Sequence, residues 1–267
     1  MEPEGTKIWK YMDFAKFVSL LTTRSLYFAC PFQLNDPYEG CVPRSHAKAE
    51  SQVVQKLVDD MLALKPYFAA QSSSSLQQFN DRMQILQQEL RAAPGKAASR
   101  FGVSCWHMSE YESEAMWKLY SASGQGIAIE STIGKLKASL GDAEGVQIDA
   151  VRYMDFDQDP IEKGHRHYRL FIKRKCFEHE KELRATILLS QDGAGVRVKC
   201  DLDVLISRVQ VSPFVEGYVR DAVEALCLGG VHVLKKPVLQ SQLLCEPDYG
   251  IEVDLNPKAS GLPAATV

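Results

Sequence analysis

Apolar residues at Phe14, Phe17, Val18 and Leu21 follow the i, i+3, i+4, i+7 rhythm of a helix that turns one stripe to a core. Asp13 precedes that stripe and is placed to cap it. A short strand over Lys7 to Tyr11 leads in. Ser25 to Ala29 reads as a second strand, stopped by Pro31. Asn35-Asp36-Pro37-Tyr38-Glu39-Gly40 is a loop, each of those residue types favouring a turn. Two helices are expected over 47–64 and 76–91, separated by the polar run Gln71 to Ser75 and closed by Ala92-Ala93-Pro94-Gly95.

Beyond this insert the period shifts toward two. Phe101 to Trp106, Gly126 to Glu130, Val146 to Tyr153, Leu183 to Leu189, Val196 to Cys200 and Leu205 to Val211 read as strands. Helices are expected near Ser113 to Tyr120 and over a basic stretch, 161–175. Another opens at Pro213, with Tyr218, Ala222, Val223 and Leu226 on one face and Gly229-Gly230 ending it. This order predicts one α+β domain over 1–255, with a helical insert at about 45–95 and a disordered Pro/Ala/Gly tail at 256–267.

Composition changes little in this picture. Among 267 residues, 45% are hydrophobic and 24% charged, ordinary for a globular chain. A net charge of −3 gives no general pull toward nucleic acid or anionic membrane, so any polyanion contact must be local. Seven cysteines without a Cys-x-x-Cys pair argue against a zinc ribbon, a redox motif or a disulfide framework. No leader-like apolar run opens the chain and no stretch is long enough to span a bilayer, so a cytoplasmic protein is expected.

The densest chemistry lies at Glu178-His179-Glu180-Lys181-Glu182-Leu183-Arg184. If 180–184 enters a strand, Glu180, Glu182 and Arg184 share a face, and two stacked carboxylates require a cation or a ligand hydroxyl between them. The plain alternative is a solvated edge strand with Arg184 paired to Glu182. Ser104, Cys105 and His107 crowd the end of another strand, without a third partner for a nucleophile. The Asn35–Gly40 loop is either a simple turn or a presenter of Asp36 and Glu39 to a ligand. Trp117 and Tyr120 lie three apart on a helix, as core or as a stacking platform. His165-Arg166-His167-Tyr168-Arg169 with Lys173-Arg174-Lys175 forms a basic stripe able to meet phosphates, or a surface helix balanced by Asp155, Asp157 and Asp159. No metal site is assigned from these residues.

In order and spacing, Trp9-Lys10-Tyr11, Leu26-Tyr27-Phe28, Asn35-Asp36-Pro37-Tyr38-Glu39, Met116-Trp117-x-x-Tyr120, Gly126-Ile127-Ala128-Ile129 and Phe177-x-x-Glu180-x-Glu182-x-Arg184 resemble a widespread bacterial domain-of-unknown-function family. Their layout is similar to that of the ADP-ribosyltransferase superfamily, whose NAD cleft lies between two small, split, mostly antiparallel sheets. That resemblance implies an enzyme that uses NAD as substrate and modifies an unknown acceptor, protein or nucleic acid. It puts Lys10 or Tyr11 at the first NAD-contacting motif, Ser104 at the second, and Glu180-x-Glu182 at the catalytic third, with Trp117, Tyr120 and Arg184 beside the cofactor. Lys10-Tyr11-Met12 departs from the usual His-x-Thr or Arg-Gly, because lysine lacks the planar fork of arginine. Two other readings stand beside it: a nucleic-acid or partner-binding module built on 161–175, and a metal-dependent hydrolase using Asp36, Glu39, Glu180 and Glu182.

Overall fold

The computed structural model describes residues 2–41, 43–120, 125–141, 143, 145–159, 168–190, 195–229 and 234–247. In chain order the elements are β1 (Lys7–Asp13), α1 (Phe14–Thr23), β2 (Ser25–Phe28), α2 (Arg44–Leu62), α3 (Lys65–Gln71), α4 (Ser73–Ser99), β3 (Phe101–Met108), α5 (Glu114–Tyr120), β4 (Gly126–Thr132) and α6 (Ile133–Leu140). There follow β5 (Gln147–Ala150), β6 (Arg152–Met154), β7 (Ile172–Arg174), β8 (Glu182–Leu188), β9 (Val196–Lys199), α7 (Leu202–Leu205), β10 (Arg208–Val211), α8 (Gly217–Gly229) and β11 (Val238–Gln240).

Seven strands form one sheet in the order β11-β10-β4-β1-β3-β8-β5, antiparallel at every junction except β10–β11. Two small pairs, β2–β9 and β6–β7, stand outside it. Mixed α and β structure on a mostly antiparallel sheet is therefore observed.

Alternation along each strand gives the sheet two unlike faces. Ile8, Met12, Trp106, Ile127, Ile129, Leu183, Val209 and Val211 enter the main core, covered by Phe17, Leu20 and Leu21 of α1, Ile133 and Leu136 of α6, and Val219, Val223 and Cys227 of α8. The opposite face is polar in cross-strand register. Arg208 lies against Glu130, Glu130 against Trp9, Trp9 against His107, and His107 against Glu182. Only part of this face is apolar, where Met116 and Trp117 of α5 cover Trp9, Tyr11 and Ala128.

Several expectations change in detail. Asp13 caps α1 by accepting from the Lys16 N–H at 2.8 Å, but the buried stripe is Phe17, Leu20 and Leu21. In α8 the buried stripe is Val219, Val223 and Cys227, and Tyr218 faces solvent. The insert holds three helices, and α4 runs through Pro94-Gly95 to Ser99. The polar run at 71–75 is a cap: Ser72 accepts from the Ser75 N–H and starts α4. Val146 to Tyr153 divides at Val151 into β5, which pairs with β8, and β6, which pairs with β7.

The expected basic helix over 161–175 is overturned in its described part. Tyr168–Leu170 is a single 3-10 turn and Ile172–Arg174 is strand β7. Leu170, Phe171 and Ile172 are all buried, which draws this stretch into the interior despite its cations. His165, Arg166 and His167 lie outside the described residues, as does the 256–267 tail.

Candidate functional site

The β1–β3 junction is short, pairing only Ile8 with Met108 and Trp9 with His107. Further along, the same edge of β3 turns to Ala29, which exchanges both backbone hydrogen bonds with Val103. Between these two attachments the Cys105 carbonyl has no strand opposite. Lys10 fills the gap, its Nζ donating to the Cys105 carbonyl and to Ser104 Oγ, both at 3.1 Å, with the Trp106 ring 5.3 Å away. Burial pulls the Lys10 ammonium below its usual range, and nearby Cys105 and Glu182 offset this only in part. Lys10 and Cys105 nevertheless keep some solvent exposure. A side chain that is desolvated yet reachable lies in a recess.

Beside this opening is a buried ionic network. Glu182, the first residue of β8, receives Arg184 Nε on Oε1 at 2.7 Å and Arg184 Nη2 on Oε2 at 3.0 Å. Arg184 also donates to Glu39 Oε1 and to the Leu170 carbonyl, both at 2.8 Å. Lys173 from β7 reaches Glu180 at 2.5 Å, Glu182 at 3.3 Å and Glu39 at 3.4 Å. Arg174, next along, holds Asp36 at 2.7 Å and lies 4.2 Å from the Tyr38 ring.

Thus the Asn35–Gly40 loop is a component of the network. Asp36 and Glu39 are buried, and Glu39 Oε2 has no hydrogen-bond partner among the described residues. Gly40 closes the loop at φ +70, against Ala98, where any Cβ would collide.

Three carboxylates share two cations, so their titrations diverge. Burial alone would raise Glu182, but the Arg184 guanidinium and Lys173 override it and hold Glu182 at about 2. Burial would likewise lower Lys173, yet Glu182, Glu180 and Glu39 raise it. Glu180 is the surplus carboxylate. Burial pushes it up, and Lys173 offsets this incompletely.

The sequence-derived candidates divide between the two faces and the opening. Glu180 and Arg184 converge on Glu182, although not by strand alternation. Glu180 ends a 3-10 turn, and Lys181, left-handed at φ 40, intervenes before β8 starts. Lys10 and Ser104 are hydrogen-bonded together from the core-facing side of their strands. Tyr11 lies on the polar face, accepting from the Ser113 N–H at 2.9 Å and meeting Trp117 edge-on at 4.8 Å. Trp117 is core, its indole bound to Glu112. Tyr120 is 42% exposed at the end of α5, where its phenol is raised by burial and by Cys105, Glu180 and Glu182.

A Ser104–His107 pair does not form, because strand alternation sends the two side chains to opposite faces. Nδ1 of His107 donates to the Glu180 carbonyl at 2.6 Å, leaving Nε2 of the neutral ring as an acceptor. Burial keeps this imidazole below its usual pKa. The Cys105 thiol is pushed up by burial and Glu182, so it stays protonated and is no thiolate nucleophile.

Two members of the site escaped sequence reasoning. Lys173 falls within the expected basic helix, and the apolar run Leu170-Phe171-Ile172 immediately before it is the signal that sets it apart. Tyr153 accepts from the Glu182 N–H at 2.8 Å, and burial pushes its phenol up to about 12. Tyr153 and Lys181 also border an open cleft of about 800 Å³, lined as well by Lys7, Met108 and Ser109.

Both rival readings lose donors here. Lys173 and Arg174 of the basic stripe are engaged with carboxylates of this network. Asp36, Glu39, Glu180 and Glu182 are each matched by a lysine or arginine, which repels a metal cation. No family model matches the chain, and neither does any curated protein or solved structure.

Proposed function

We propose that this chain is an ADP-ribosyltransferase-like enzyme that breaks the nicotinamide–ribose bond of NAD and transfers the ADP-ribosyl group to a macromolecular acceptor. One observation carries the reading. The strands bearing the three motif positions, β1 with Lys10 and Tyr11, β3 with Ser104 and β8 with Glu182, are consecutive neighbours, and the sheet opens between the first two.

The residues present suit such a substrate. Among the described residues no carboxylate forms an ion pair with the Lys10 ammonium, which fits a phosphate group. Tyr120 offers an accessible ring for stacking. Glu182 is ionised at any physiological pH and supplies a fixed negative charge where positive charge develops on the ribose. Its Lys173 contact, at 3.3 Å, is longer than either of its Arg184 contacts and is the one a ribose hydroxyl would replace. Glu180, more accessible and with a raised pKa, is the group to take the acceptor's proton as the new bond to the ribose forms. We place the acceptor in the cleft beside Tyr153 and Lys181.

The test is nicotinamide release from NAD by wild type, Glu182→Gln and Glu180→Gln. Glu182→Gln is expected to lower the rate about 100- to 1000-fold, as loss of one preorganised electrostatic contact does. Glu180→Gln should impair transfer to an acceptor more than hydrolysis. If the wild type neither binds NAD nor releases nicotinamide with protein and nucleic-acid acceptors present, the proposal is wrong.

A further inference from the structure

Lys10 and Lys173 are both drawn out of water, but into opposite surroundings. Lys173 is held by three carboxylates, those of Glu39, Glu180 and Glu182. Lys10 meets only neutral oxygens, the Cys105 carbonyl and Ser104 Oγ, and no carboxylate pairs with it among the described residues. Glu182 acts on it from beyond contact, and that carboxylate is already matched by Arg184 and Lys173. The Cys105 thiol stays protonated, and Lys16 of α1 adds a like charge.

Ser104 sharpens the contrast. It is 1% exposed, and its hydroxyl makes no other hydrogen bond among the described residues. Beside an ammonium this oxygen accepts, and the hydroxyl hydrogen is left buried without an acceptor. Beside a neutral amine the hydroxyl donates to the nitrogen lone pair, while the amine still donates to the Cys105 carbonyl. A buried donor without a partner is unfavourable, so this contact favours the neutral form. Lost hydration favours it further. The gap in the sheet keeps the side chain reachable, because Lys10 is only half-buried. The Trp106 ring, 5.3 Å from Nζ, gives the recess an apolar side.

We propose that Lys10 is a nucleophilic amine and that its recess takes a small aldehyde or ketone, bound as an imine. The Nζ lone pair attacks the carbonyl carbon. A C=N bond replaces C=O, and the oxygen leaves as water with the two amine hydrogens. Ser104 Oγ lies within hydrogen-bond reach of Nζ and carries a proton between nitrogen and the departing oxygen. This inference does not rest on the NAD reading. An anion in the recess favours the ammonium, so the amine reacts while no phosphate is bound there.

The experiment is reductive alkylation of the full chain by acetaldehyde and cyanoborohydride, without NAD, followed at each lysine by peptide mass spectrometry. It spans about pH 6 to 10, a range that separates a lowered lysine from an ordinary one. Near neutral pH, Lys10 should be labelled at least about tenfold faster than Lys16 and Lys118, whose side chains are largely exposed. Its rate should also level off at a lower pH than an ordinary exposed lysine requires, a shift that accessibility alone does not produce. Labelling of Lys10 no faster than that of Lys16 and Lys118, or a rate that rises with pH as an ordinary lysine's does, would overturn the proposal.

Discussion

Arg184 touches Glu39, Glu182 and the Leu170 carbonyl while 1% exposed, so each of its charge-assisted bonds is shielded from water. Removing it as Arg184→Ala would strand Glu39 and Glu182 without their main cation. The expected loss is about 3–5 kcal/mol of stability, as when one partner of a buried pair is deleted. Urea denaturation would read it as a lower midpoint. Acid should act on the same residues. Glu182 has a folded pKa near 2 against an ordinary value of 4.5, so its contribution is complete above about pH 4.5 and is lost as the pH falls toward 2. Glu180, raised, has the opposite sign. Stability measured from pH 6 to 2 should therefore drop most steeply below 4.5 in the wild type and much less in Glu182→Gln.

At the scale of elements, local sequence effects have measurable weight. Asp13→Ala removes the side-chain cap of α1 and should cost about 1 kcal/mol, seen by thermal or chemical unfolding. Elements whose signals are local were readable from the chain. The α1 cap, the strand positions of β1, β3, β4 and β8, and the loop at Asn35–Gly40 all follow from period and turn chemistry. Elements shaped by distant partners were not. The stretch 168–175 reads as cationic surface until its carboxylates are known, and those stand at Glu39, Glu180 and Glu182 on separate elements. Strand alternation does not bring Glu180 and Glu182 together, because left-handed Lys181 breaks it. They meet through Lys173 instead. Strand alternation also separates Ser104 from His107, although in the chain they look like partners.

Across the whole molecule, the sheet and the insert should differ in how often they open. Amides of β1, β3 and β4 sit in central strands between covered faces, whereas α2 leans on the body mainly at its first turn. Hydrogen exchange followed by mass spectrometry should show α2 amides exchanging orders of magnitude faster than those of β1 and β4. Uniform protection across both regions would contradict this division.

The clasp of Arg184 on Glu39 also bears on how the chain matures. The two residues are 145 positions apart, so the loop that holds Asp36 and Glu39 emerges from the ribosome long before its counter-charges. Until Lys173, Arg174 and Arg184 are synthesised, those acids have no reason to leave water. Assembly of this centre must wait for late, long-range closure, a topology that slows folding. A nascent chain ending before Lys173 should stay open around positions 35–40, where a protease would find it.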